Sequence, residues 1–293
     1  MFPFSDQTVL NPNLGRYFHI FTLTQLSQEV KALLKRFILQ SCRRSSFVIS
    51  GIIQPLLWLI LFGALFQQFV VPGINTTAIG YIQFLSSGII VFTAFTSSLN
   101  AGLPIMFDRE FGFFNRLLVA PMTSRFSIVI ASFTYIVIIT ILQLILISFI
   151  TFINGPVFCN LSLLGFFSLL ILLFLLICLV TIFSIVISFI LPGHIELLAL
   201  ILLINLPILF SSTALAPLVF MPRWLQIIAS LNPLTYSIEA VRYVTQTEYL
   251  SLFNKVIISG FGSISLLDII YYFILSNFIL FVASNRFFHG KLE

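Results

Sequence analysis

The sequence predicts an all-α polytopic membrane protein of about six transmembrane helices, preceded by an N-terminal amphipathic interface helix. Composition is the first of three observations behind this. Of 293 residues, 59% are hydrophobic and 8% charged, and mean hydropathy is +1.14, whereas a soluble domain carries roughly 25% charged residues. A water-soluble fold cannot bury that much apolar surface. Second, apolar stretches run from residue 47 almost to the end with no polar interval long enough for another domain. The expected organisation is a polar N-terminal segment, 1–46, followed by one transmembrane domain, 47–293. Third, Lys and Arg cluster in alternate connections, as a polytopic chain requires.

Residues 1–46 are the most polar part and do not match a cleavable signal peptide, so the first span is expected to act as the targeting signal. Within this segment Leu23, Leu26, Val30, Leu33, Leu34, Phe37 and Ile38 recur at helical spacing, with Gln28, Glu29, Lys31, Lys35 and Arg36 on other faces. A soluble amphipathic helix has the same pattern, but the nearby first span favours a helix lying on the membrane. Lys35, Arg36, Arg43 and Arg44 would then face anionic headgroups, each contributing about 1 kcal/mol.

Six stretches meet the roughly 20 apolar residues needed to cross a hydrocarbon core about 30 Å thick. They lie near 47–69, 80–106, 126–153, 161–191, 196–220 and 264–285. The fourth is long enough to tilt or protrude and stops at Leu191-Pro192-Gly193. Pro207 is expected to kink the fifth by removing a backbone donor.

Basic residues orient the chain. Arg16, Lys31, Lys35, Arg36, Arg43 and Arg44 precede span one; Arg109, Arg116 and Arg125 lie between spans two and three; Arg286 and Lys291 follow span six. Both termini are therefore expected inside, and Arg223, Arg242 and Lys255 fall in the long fifth loop, where the rule is weaker. The triplets Asn75-Thr76-Thr77 and Asn160-Leu161-Ser162 fall in outer loops on this topology, though chance explains such triplets. This distribution accounts for the net charge of +5 without nucleic acid as a partner.

Enzymatic chemistry finds no support in the motifs. Lys31, Lys35, Lys255 and Lys291 are each followed by a residue other than Ser or Thr, so the ATP-binding P-loop is absent. Neither H-E-x-x-H nor G-x-S-x-G occurs. Cys42, Cys159 and Cys178 are too widely spaced for a metal or redox pair and read as small apolar fillers. His194 and Glu196 offer at most two metal ligands in a short loop, and no metal site is expected. The span centres carry no ionisable group, and Asp268 lies near the start of the sixth, so carboxylate-driven ion coupling is disfavoured. Backbone-carbonyl sodium sites stay open.

The loop between spans two and three interleaves charges with aromatics: Phe107-Asp108-Arg109-Glu110-Phe111-Gly112-Phe113-Phe114-Asn115-Arg116-Leu117-Leu118, ending at Ala120-Pro121. A positive-inside loop with aromatic interface anchors accounts for it on physics alone. The motif Asp108-Arg109-Glu110-x-Gly112 followed by Arg116-Leu117-Leu118-x-Ala120-Pro121 also resembles the first cytoplasmic loop of ABC-2 type permeases, the membrane subunits of ATP-binding-cassette exporters. The fifth loop adds Pro222-x-Trp224-Leu225 and Leu231-Asn232-Pro233-Leu234-Thr235-Tyr236, ending Glu239-Ala240-x-Arg242. Both motifs in order, with the amphipathic helix and six spans, extend the resemblance over nearly the whole chain. The Phe- and Ile-rich spans resemble most the version encoded in algal plastids and their cyanobacterial relatives.

The resemblance implies a translocating permease that is not itself an enzyme and binds no cofactor, working with a separate nucleotide-binding subunit that uses ATP and Mg. It further implies a second permease copy, as homodimer or heterodimer, among membrane lipids in a plastid membrane, or otherwise a bacterial inner membrane. Asp108, Arg109, Glu110 and Arg116 become expected polar contacts to the ATPase, with Phe111, Phe113 and Phe114 as apolar anchors. The fifth loop resembles re-entrant helices on the outer side, making Trp224, Asn232, Pro233, Glu239 and Arg242 expected parts of an outer gate. Trp224, Leu225, Ile227, Ile228, Leu231 and Leu234 would give it a buried face, Asn232-Pro233 would break it in two, and Glu239 and Arg242 are spaced to pair. Thr93, Ser97, Asn100 and Asn205 are pathway positions, although such side chains equally serve helix packing. The residues themselves leave open an ion-coupled carrier or channel without an ATPase, or a membrane assembly factor.

Overall fold

The computed structural model describes residues 23–43, 45–66, 78–119, 126–154, 162–247, 251, 253–259 and 262–292. The N-x-S/T triplet at Asn75, and Arg44, Ala120, Pro121, Arg125, Cys159 and Asn160, lie outside these residues. The chain forms α1 (Leu23–Arg43), α2 (Ser45–Leu65), α3 (Ala78–Leu99), α4 (Gly102–Glu110), α5 (Phe113–Val119), α6 (Phe126–Asn154), α7 (Leu163–Ile190) and α8 (His194–Phe210). It continues with α9 (Arg223–Leu231), α10 (Pro233–Gln246), the strands β1 (Lys255–Ser259) and β2 (Gly262–Ser265), and α11 (Leu266–Leu292).

Among the described residues, four helical stretches are long and apolar enough to cross a bilayer: Tyr81–Glu110, Phe126–Ile153, Leu163–Ile190 and Leu266–Arg286. Ile49–Leu65 and His194–Phe210 are shorter apolar helices. At about 1.5 Å per residue, the 17 residues of α8 reach only about 25 Å.

The fifth stretch, expected to run helical to 220, is helical only to Phe210, and the chain then turns through residues 211–217. Backbone freed from a helix at membrane depth must find partners within the protein. Here it does. Asn232 Nδ2 donates to the Ile208 carbonyl at 2.9 Å, an Arg242 nitrogen to that of Thr213 at 3.0 Å, and the Tyr81 hydroxyl to that of Leu215 at 3.2 Å.

α3 forms the centre, packing on α2, α6, α7 and α10. Its continuation into α4 breaks at Asn100-Ala101, and α7 mends the break. The Ser184 hydroxyl donates to the Leu99 carbonyl at 2.5 Å and accepts from the Gly102 N–H at 2.9 Å, taking up both freed backbone groups. Only glycine fits at 102, because a Cβ would lie 2.6 Å from the Ser184 carbonyl oxygen.

A second, smaller core joins α1 to α6 and α7 through Leu33, Phe37, Ala131, Ile136 and Phe189. Ser127 donates to Glu29 at 2.8 Å, and the Ser41 and Tyr135 hydroxyls share a hydrogen bond. α1 is thus packed along Val30, Leu33, Leu34 and Phe37 of its apolar stripe, while Ile38 is exposed.

Local caps place the helix starts. Ser162 accepts from the Gly165 N–H at 3.1 Å to open α7, which ends at Ile190, just before Leu191-Pro192-Gly193. Ser265 and Asp268 form a reciprocal capping box on α11: Asp268 accepts from the Ser265 N–H at 2.9 Å, and its own N–H donates to the Ser265 hydroxyl at 3.3 Å. The β1–β2 hairpin departs from the all-helical expectation. Its sequence signal is the β-branched run Val256, Ile257 and Ile258 followed by glycines at 260 and 262.

Candidate functional site

Consecutive charges at the end of α4 reach three different helices. Asp108, 7% exposed, pairs with Arg36 of α1. The Arg36 guanidinium also covers the Phe113 ring at 4.0 Å. Arg36 is therefore turned into the protein, which corrects its expected place among the headgroups, while Lys35 and Arg43 remain exposed. Arg109 donates to the Ser188 carbonyl and, at 3.4 Å, to that of Leu191, taking up carbonyls that the end of α7 leaves orphaned. Glu110 binds the His194 ring and accepts the His194 backbone N–H at 3.2 Å. A carboxylate there meets both the orphan donors and the positive dipole end of α8.

Beyond Glu110 the chain reverses through Gly112, whose φ of +73° few residues other than glycine adopt. α5 is then pinned by Phe114, buried edge-on against Phe189 with ring centres 5.8 Å apart. The coupling residues implied by the resemblance fall into two sets. Asp108, Arg109, Glu110, Phe113 and Phe114 are engaged within the chain. Phe111, 70% exposed, and Arg116 face outward beside Asn115 and Val119.

The far end of the bundle holds the second group. Asn232 separates α9 from α10 at the expected Asn232-Pro233 break; its side chain accepts from the Leu234 N–H at 2.9 Å, with Pro233 in the first helical turn. Glu239 and Arg242 pair at 2.5 Å, as their spacing predicts. Arg242, 6% exposed, also lies 3.6 Å over the Phe84 ring, so one side chain fastens α10 to α3 and to the turn after α8. The expected buried face of α9 needs correcting. Leu234 is buried and Leu225 half-buried, but Trp224, Ile227, Ile228 and Leu231 are exposed. A membrane offers apolar surroundings outside the protein as well as inside, so an apolar helix face need not turn inward.

Between the two ends lies a hydrogen-bonded interior. Thr96 donates to Asn205 at 3.1 Å and Thr140 to Ser97 at 3.0 Å, while Asn100 donates to the Thr96 carbonyl at 3.0 Å. Thr93 donates to the Ile89 carbonyl of its own helix at 2.7 Å. Ser97 and Asn100 join Ser50 and Gln54 of α2 and Gln143 of α6 around a cavity of about 60 Å³. Sequence reasoning missed Thr96, Thr140, Gln54 and Gln143; a Gln inside each of two apolar spans was the available signal. The His194 ring binds Glu110 through Nδ1, and no group of three or more His, Cys, Asp or Glu gathers among the described residues.

Long apolar helices around a polar hydrogen-bonded interior define a multi-pass membrane protein. Residues 28–245 match the ABC-2 type transporter family, and the chain belongs to it. A relative from Porphyra purpurea bearing the name transport permease ycf38 is 49% identical over 287 residues, covering 94% of this chain and 97% of the relative. Proteins of the same name from Pyropia yezoensis and Cyanophora paradoxa are 51% identical over 255 residues and 53% over 221. They cover 85% and 74% of this chain, and 87% and 74% of their own lengths. These relatives are plastid-encoded.

Proposed function

We propose that this permease is the membrane subunit of an ABC-type exporter, forming a translocation pathway with a second permease copy and coupled to a separate nucleotide-binding subunit that holds ATP and Mg. It sits in a plastid membrane with both termini and the α4–α5 end on the stromal side, and with α9–α10 on the outer side. The observation that carries this reading is the division of α4–α5: one side is fastened to α1, α7 and α8, and the other presents Phe111, Asn115, Arg116 and Val119. A docking segment needs both an open contact surface and a stiff connection behind it.

Force applied to α5 has a structural route. It passes through Asp108 to α1, through Arg109 to the end of α7, and through Glu110 to the start of α8. The turn after α8 meets Arg242 of α10 at the far end. Closure of two ATPases on ATP would shift the inward/outward equilibrium by contacting one permease conformation better than the other.

Single cysteines placed at Phe111, Arg116 or Val119 in a cysteine-free chain provide the test. Each should cross-link to the copurified ATPase, whereas a cysteine at Trp224 should not. Absence of cross-links from all three α5-end positions in an active complex would refute the reading.

A further inference from the structure

The cavity bounded by α2, α3 and α6 has a lining unlike the lipid-facing surface around it. Its polar groups are the hydroxyls of Ser50, Thr96 and Ser97 and the amides of Gln54, Asn100 and Gln143, with no Asp, Glu, Lys or Arg. Gln143 is 2% exposed. Gln54 is exposed in the middle of α2 and makes no side-chain hydrogen bond among the described residues. Hydrocarbon cannot satisfy an amide, so Gln54 calls for a polar partner from outside the chain. Gly51 helps open the site: a Cβ there would lie 2.5 Å from Gln143 Nε2, so glycine lets the Gln143 amide reach across to α2.

We propose that this cavity is a subsite for an uncharged, hydroxyl-bearing headgroup, such as a sugar or polyol, on an amphiphilic substrate. The inference rests on the permease reading and adds a substrate class to it. Amides and hydroxyls both donate and accept, as the hydroxyls of a sugar do. An anion would find no positive side chain in this lining, and a bare cation no carboxylate. A cavity of about 60 Å³ exceeds the roughly 10–15 Å³ that one water-sized group needs, so it admits a few hydroxyls. One edge of the headgroup therefore inserts, and the remainder lies against Gln54 at the mouth.

Trp58 lies one turn along α2 from Gln54 and reports on the site once Trp224→Phe removes the other tryptophan. The full-length permease in lipid nanodiscs, without its ATPase, is titrated with decyl glucoside, decyl phosphate and decyl trimethylammonium below their micelle concentrations. Decyl glucoside should give a saturable change in Trp58 fluorescence, weakened about tenfold by Gln54→Leu and by Gln143→Leu, and the charged amphiphiles should not saturate. Gln54 faces outward, so its leucine variant leaves the packed interior intact. Equal responses to all three probes, or wild-type glucoside affinity in Gln54→Leu, would overturn the proposal. If the α5 cross-links persist while glucoside binding is absent, the subsite falls alone; if binding persists without cross-links, the ATPase reading falls.

Discussion

The two ends of the bundle hold their charges in contrasting ways. At the α4–α5 end, three consecutive charges are spread over three helices, and the side chains of Arg36, Glu110 and His194 remain roughly one-third exposed. At the α10 end a single Glu239–Arg242 pair is nearly dry, and Arg242 collects the Thr213 carbonyl and the Phe84 ring as well. A pair that is wet on both sides, such as Glu110–His194, tolerates rearrangement, because water replaces a lost partner. A concentrated dry pair does not. The first suits a segment that receives a moving partner, the second a latch holding one packed arrangement.

The sharpest way to break this contrast is Arg242→Met. It leaves Glu239 unpaired and the Thr213 carbonyl unmet, and should cost about 3 kcal/mol of stability, read from the unfolding midpoint in nanodiscs. Adding Glu239→Leu should recover much of that loss, because an apolar pair of similar volume often replaces a buried ion pair well. A double variant no more stable than Arg242→Met would reduce the latch to ordinary packing. Ser184→Ala, on the helix that mends the α3–α4 break, should cost about 2 kcal/mol by leaving the Leu99 carbonyl and the Gly102 N–H without their shared hydroxyl.

Arg36→Gln should cost less, about 1.5 kcal/mol, because the glutamine amide can still donate to the buried Asp108 carboxylate; a loss equal to that of Arg242→Met would erase the difference between the ends. Glu110→Gln should have the smallest effect, leaving the unfolding midpoint essentially unchanged, because its bond to His194 is at the surface.

Features set by neighbouring residues were legible in the sequence: the stop after Ile190, the Asn232-Pro233 break, and the Glu239–Arg242 pair three positions apart. The family resemblance also located the α4–α5 segment. Long-range partners were not legible. Arg36 and Asp108 are 72 positions apart, and Glu110 and His194 are 84 apart, with no periodicity to connect them. The early end of α8 depends on side chains from α3, α10 and Asn232 that accept no helix geometry of their own there but satisfy the freed carbonyls. Hydropathy also reads lipid-facing and core-facing residues alike, which is why the outward turn of Trp224 was missed.

The direct test of the central claim is ATP hydrolysis by the proposed nucleotide-binding subunit, measured with and without permease variants in proteoliposomes, alongside copurification. Phe111→Ala combined with Arg116→Glu should abolish both copurification and permease-stimulated hydrolysis, whereas Asp108→Asn should keep copurification and lower stimulation. Unchanged copurification and stimulation in the Phe111→Ala, Arg116→Glu protein would contradict the account.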